Sequence, residues 1–334
     1  LSRRQRQMCI RDSAIVLGMT FHSCLDLEPQ DQLGGKNMWT SVNDYKQFAN
    51  TFYSWTRDFS SVVYDGTHSD KRSDLITYQS YNEFSRGINS IPSSDANYTD
   101  NYKHIRRTNL LLQNAEAYAK PEDIKQYIGE AYFFRAYSYF DLLQLYGDVI
   151  ITKKPLDITD PEMKVKRNDR SEVVDLIIDD LNHAVENLPA FKELTTEEEG
   201  RISKEGAQAF LSRVALYEGT WQKSRNGNQN TQRSANLLDI AAKAARTVID
   251  AKYGYTFRLF GTDSETKILG DSAQKYMFIL ENEKSNPAGI KKSSNHEYIF
   301  ARRHDQVLAS IGKNITQELS LIHISEPTRH SLIS

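Results

Sequence analysis

Apolar residues recur at helical spacing through most of this chain, and one stretch is apolar on two faces. In 129–147, Ala131, Phe134, Leu142 and Leu145 share one side of a helix, while Ala136, Tyr139, Phe140 and Leu143 share another. A surface helix shows a single apolar stripe, so two stripes place this one between neighbours. Gly147 stands where a glycine ends a helix, and Pro121 stands where a proline opens one. Further helices are predicted over 41–53 (Val42, Tyr45, Phe48, Phe52) and 101–118 (Tyr102, Ile105, Leu112, Ala115). Another follows Asp169-Arg-Ser-Glu172, which has the form of a capping box. Its stripe is Val174, Ile177, Ile178, Leu181, Ala184, Val185 and Leu188. Ser203 is expected to cap a helix ending at Gly219, and 234–252 forms the next through Leu238, Ala241, Ala245, Val248 and Ile249. Residues 297–301 are a short apolar run suited to one strand.

Sandwiched helices in series are the mark of a helical solenoid. Ala131-Tyr-Phe-Phe134 and Ala207-Gln-Ala-Phe210 repeat a small-then-large spacing at an offset of 76 residues. That is near two tetratricopeptide periods of about 34 residues each, with loops inserted. The expected fold is all-α, a tetratricopeptide-like scaffold of helical pairs with long irregular loops; a generic helical bundle is the alternative from spacing alone.

Charge and chemistry narrow the function. With 42 basic and 44 acidic residues, the chain lacks the basic excess expected of a nucleic-acid partner. Both cysteines, Cys9 and Cys24, fall in the first 24 residues, so the body has neither a disulfide framework nor a Cys-based zinc site. No G-x-S-x-G, P-loop or G-x-G-x-x-G occurs. His296 and His304 lack metal-ligand spacing. The expectation is no catalysis, no cofactor and no metal. Asp179-Asp180 sits mid-helix, where adjacent side chains point apart, and reads as a solvated edge plus one cap or ion pair.

The two ends look foreign to the rest. Residues 1–13 (LSRRQRQMCIRDS) and 321–334 (LIHISEPTRHSLIS) lack helical periodicity and resemble translated sequencing-adapter read-through. Without their five Arg and two acids the net charge moves from -2 to -5. Residues 14–23 read as the remnant of a lipoprotein signal peptide. Phe21-His22-Ser23-Cys24 resembles a lipobox, although Phe21 and His22 depart from its usual Leu and small residues. The expected domain is 24–320, lacking a C-terminal portion.

Four stretches together resemble the SusD/RagB family of Bacteroidetes outer-membrane lipoproteins. They are Cys24-Leu-Asp-Leu-Glu-Pro, then Tyr98-Thr-Asp-Asn-Tyr102 through Asn109, then 129–148, and last Arg170-Ser-Glu-Val-Val through Leu188-Pro with Gly200-Arg-Ile-Ser-Lys204 and 207–217. Val149-Ile150-Ile151 departs from the family's usual Val-Pro. The resemblance implies a surface lipoprotein, anchored in the outer membrane through Cys24. Such a protein captures an oligosaccharide or similar nutrient and delivers it to a SusC-like TonB-dependent transporter. Sugar C–H faces pack on flat aromatic rings, and hydroxyls need directional partners such as Asn, Asp and Arg. The polar, aromatic-rich 54–102 region supplies these types, so Tyr98, Asn101, Trp55, Asp70 and Arg72 are the candidate ligand-binding residues; packing beneath their own loops is the plainer role for Trp55 and Tyr98. Trp221 is expected to pack at a helix end. Other functions the residues allow are a peptide-binding or assembly scaffold of tetratricopeptide type and an α-helical glycosidase.

Overall fold

The periodicity becomes helix after helix in the computed structural model, which describes residues 38–57, 87–88, 90–157, 159–225, 231–280 and 283–302. Contacts divide the chain into two units, Leu1–Asp44 and Tyr45–Ser334. In the first, the backbone N–H groups of Thr40 and Ser41 donate to the Asp44 carboxylate at 3.0 and 2.8 Å. Helix α1 is Val42–Asn50, and a 3-10 turn, Thr51–Trp55, follows it.

The second unit is built on α2 (Ala96–Glu116), α3 (Lys125–Tyr146), α4 (Arg170–Asn187), α5 (Lys204–Arg225) and α6 (Thr231–Ile249). Each of these packs on the next in sequence. Among the described residues no strand forms, and the only bridge is a single antiparallel pair, Val149 with Asn168. The fold is all-α and tetratricopeptide-like, as expected.

Helix α3 is the centre of the stack. Ala131, Phe134, Ala136, Tyr139, Leu142 and Leu143 are all fully buried, confirming two apolar faces. Gly147 ends the helix in the left-handed region (φ 72°) and donates its N–H to Leu143 O at 3.1 Å. Gly129 has a different task. A Cβ there would lie 3.0 Å from the backbone N of Leu188 and 2.9 Å from its Cγ, so glycine permits α3 to approach the end of α4.

Polar pairs cross the helix interfaces. Arg135 of α3 donates to both oxygens of Asp180 on α4, at 2.8 and 2.6 Å. Glu130 accepts from Arg201 at 2.8 Å, and Arg170 Nε donates to Glu218 at 2.8 Å. The three carboxylates are fully buried. Removing one partner from such a pair leaves an uncompensated buried charge.

Several local expectations are corrected. Helix α2 begins at Ala96 rather than 101, because Asp95 caps it by accepting from Asn97 N at 2.9 Å. The Asp169 side chain makes no cap hydrogen bond; Asp148 instead accepts from Arg170 N at 2.9 Å, and Glu172 accepts from Asn168 Nδ2. Helix α5 runs past Gly219 to Arg225. Gly219 is a packing contact, with a Cβ there meeting Leu238 at 3.0 Å. On α6 the buried stripe is Leu237, Ala241, Ala244 and Val248, and Ile249 is exposed. Residues 297–301 form no strand, since no described segment pairs with them; Phe300 packs on Phe133 and Tyr53 instead. Trp221 packs near the end of α5, as expected, half-buried and stacked on Tyr217, with the guanidinium groups of Arg170 and Arg225 4.3 and 4.8 Å from its ring.

Candidate functional site

The start of α2 and the connector after α3 enclose a groove of about 490 Å³. Its helical wall is Tyr98, Tyr102 and Arg106, one face at four-residue spacing, with Thr99 and Lys103 beside them. The opposite wall is Ile150, Thr152, Lys154, Leu156, Glu162 and Met163.

Each wall is held by specific bonds. Asp95 accepts from the Tyr146 hydroxyl at 2.6 Å, which ties the first turn of α2 to the last turn of α3. The Tyr98 ring stands 4.8 Å from Tyr102 and 5.2 Å from Tyr146, edge-on to the latter. Tyr102 donates its hydroxyl to Ile150 O at 2.8 Å. Burial, reinforced by the neighbouring Tyr98 hydroxyl, pushes the Tyr102 hydroxyl far above the usual phenol range, so it stays a neutral donor.

The connector is fixed from beneath. Asn109 donates to Thr152 O at 2.9 Å, and Tyr139 Oη accepts from Thr152 N at 2.8 Å. Ile151 N donates to Asn168 Oδ1 at 2.9 Å. Asn109 is in turn oriented by Arg135, whose Nη1 donates to its Oδ1 at 2.8 Å. The buried Asp180, Arg135 and Asn109, ending on half-buried Thr152, therefore link the core of α3 and α4 to the groove wall. Buried polar groups joined this way fix one arrangement when every member is satisfied.

The candidate residues are dispersed. Tyr98 lines the groove. Asn101 is buried, and its Nδ2 donates to Asn97 O at 2.8 Å within its own helix. Trp55 stacks on His104 at 4.1 Å and packs against Phe52 and Phe134. His104 lies two positions from Tyr102, about 200° around α2, so Trp55 belongs to the other face of that helix. Burial against these rings lowers the His104 imidazole to about 4. Asp70, Arg72 and Cys24 lie outside the described residues. Sequence reasoning placed Tyr102 only as a stripe residue and missed Lys103, Arg106 and the connector wall. The Tyr98/Tyr102 pair at i,i+4 was the available signal.

A second concavity, about 630 Å³, lies between α4 and α6. Ile178, Leu237 and Ile240 floor it, and Asp175, Asp179, Asn182, Gln232, Asn236 and Arg233 rim it. It holds no aromatic ring. Among the described residues no group of three His, Cys, Asp or Glu is placed to hold a metal, and no helix is long and apolar enough to cross a membrane.

Known proteins resemble this chain in sequence and fold. SusD-like protein P2 of Formosa agariphila is 25% identical over 85% of this chain and 57% of its own length. SusD-like protein P38 of the same organism is 27% identical over 58% of this chain and 39% of its own length. The crystal structure of a SusD-like protein from Bacteroides fragilis superposes with a TM-score of 0.57 at 22% identity, covering 82% of this chain and 47% of that one. The chain thus spans about half the length of these proteins. Residues 25–216 match the family described as SusD-like, starch-binding associating with outer membrane. With more than half its length in that match, the chain belongs to the SusD-like (SusD/RagB) family.

Proposed function

We propose that this protein binds oligosaccharides in the groove beside Tyr98 and delivers them to a SusC-like TonB-dependent transporter in the outer membrane, to which it is held by a lipid on Cys24. The observation that carries the reading is the pair of tyrosine rings, Tyr98 and Tyr102, on one wall of an open groove. Their faces suit the C–H faces of a sugar ring. Thr152, Lys154 and Glu162 on the opposite wall offer hydroxyl, ammonium and carboxylate groups to ring hydroxyls. Family membership supports glycan binding and an outer-membrane association. Asn101, Trp55, Asp70 and Arg72 stay in the proposal as secondary candidates, Asn101 and Trp55 through their support of α2. Catalysis has no part in it.

Calorimetric titration with a panel of oligosaccharides tests the reading. At least one should bind, and Tyr98→Ala should weaken it. Absence of binding across the panel, or binding indifferent to Tyr98, counts against it. Release of reducing sugar from a polysaccharide would favour the glycosidase instead. For the anchor, labelling with a palmitate analogue should disappear in Cys24→Ala.

One observation favours a second reading, a peptide-binding scaffold. The α4/α6 concavity presents the amides of Asn182, Gln232 and Asn236 over an apolar floor, groups that can pair with an extended peptide backbone. Binding of peptides but of no oligosaccharide would select it.

A further inference from the structure

Tyrosine faces explain why a sugar could bind in the groove but leave its charge open; the groove's walls address the charge. Residues 98–106 and 150–167 carry seven Lys or Arg against four Asp or Glu, in a chain whose net charge is -2. Of the lining residues, Lys103, Arg106 and Lys154 are cationic and Glu162 alone is anionic.

The carboxylates of these walls are engaged in ways a ligand can exchange. Lys103 meets Asp100 at 2.7 Å, Lys154 meets Glu162 at 2.7 Å, and Arg106 stands 3.7 Å from Asp157. All six side chains are about half exposed or more. Exposed pairs of this kind contribute about 0–1 kcal/mol each, so an incoming carboxylate or sulfate can replace the protein's own acid at small cost. Asp160, the fourth acid, accepts the Asp157 N–H at 2.8 Å and shapes the connector. The α4/α6 concavity is the internal contrast: Asp175 and Asp179 stand there against Arg233 alone.

We infer that the groove selects anionic oligosaccharides, chains of uronic acid or sulfated sugars, with the tyrosines taking the ring faces and Lys103, Arg106 and Lys154 taking the acid groups. This rests on the reading of the groove as a glycan site. Arg106 suits a planar carboxylate because its guanidinium can donate two parallel hydrogen bonds, whereas the lysines act as point charges.

The test compares an oligogalacturonate pentamer with its carboxyl-reduced neutral counterpart, titrated into the protein at low salt and at about 0.5 M salt, where the screening length is only a few ångströms. The acidic pentamer should bind about tenfold tighter at low salt, and the gap should close at high salt. The double variant Lys103→Gln/Arg106→Gln should lose the preference, the acidic pentamer's affinity falling about tenfold more than the neutral one's. Equal or tighter binding of the neutral pentamer, abolished by Tyr98→Ala, would overturn the anionic preference and leave the glycan site standing. Binding of neither pentamer, together with binding of a different neutral oligosaccharide that depends on Tyr98, would likewise overturn only the preference. No oligosaccharide binding at all would overturn both.

Discussion

Two concavities sit on different helices of one scaffold, and they differ in what lines them and in what holds them. The α2 groove has two tyrosine faces and a cationic rim. The α4/α6 concavity has an aliphatic floor with amides and carboxylates and no ring among its lining residues. The groove's wall is joined to the core through Asp180, Arg135, Asn109 and Thr152. The rim of the other rests on Asp175 and Arg233, paired at 2.8 Å with Asp175 62% exposed. The lining, and not the volume, is what distinguishes the two concavities. The proposed sugar site rests on the tyrosines of one wall, while the network fixes the connector opposite them; a wall held in one geometry before ligand arrives lowers the ordering cost of binding.

The sharpest way to break this comparison is to alter two aspartates of the same helix. Asp180→Ala strands the Arg135 charge in the core and should destabilise the protein by about 3–5 kcal/mol. Asp175→Ala, on the exposed rim, should cost less than about 1 kcal/mol. Urea denaturation reads both, and similar losses would mean the groove's support is not special.

Gly129→Ala comes next. Alanine favours a helix over glycine by about 1 kcal/mol, yet its Cβ would meet the Leu188 backbone at 3.0 Å. The clash should dominate, with a net loss of about 1–3 kcal/mol by thermal or urea unfolding. A gain in stability would mean that α3 and α4 can separate freely.

Tyr98→Ala should weaken oligosaccharide binding about tenfold, ~1.4 kcal/mol, with the melting temperature little changed. Leu237→Ala, in the floor of the other concavity, should leave the affinity unchanged in the fraction that remains folded. Calorimetry separates the two, and reversed sensitivities would move the site to α4/α6.

The smallest effect belongs to His104, on the face of α2 turned from the groove. Its imidazole titrates at about 4 when folded, against 6.5 when free. Between those values the unfolded chain binds more protons, so this contribution to stability is complete above pH 6.5 and falls away as pH drops toward 4. With the ring partly exposed, the loss should be about 1 kcal/mol. An NMR titration should find the midpoint near 4 and shift it toward 6.5 in Trp55→Ala. An unchanged midpoint would show that Trp55 does not shield the ring.

The helices were legible because apolar spacing is local. The two faces of α3, the stripe of α4 and the stop at Gly147 all follow from residues within a few turns. Gly219 misled because a glycine near a helix end also serves where two helices meet closely, and only Leu238 on the next helix shows which. The candidate site was legible in part. Tyr98 could be named because it stands beside a helix start rich in aromatic residues. The groove's other wall could not, since Ile150 and its neighbours reach Tyr102 only after α3 has returned the chain. Arg135, Asn109 and Asp180 read in sequence as ordinary polar helix positions. Their link spans three elements, and no periodicity encodes it.

Hydrogen–deuterium exchange with and without a bound oligosaccharide tests the assignment of the groove most directly. Slowed exchange in 98–106 and 150–163, with 175–182 and 232–240 unchanged, is the expected result. Slowed exchange confined to 175–182 and 232–240 would contradict it.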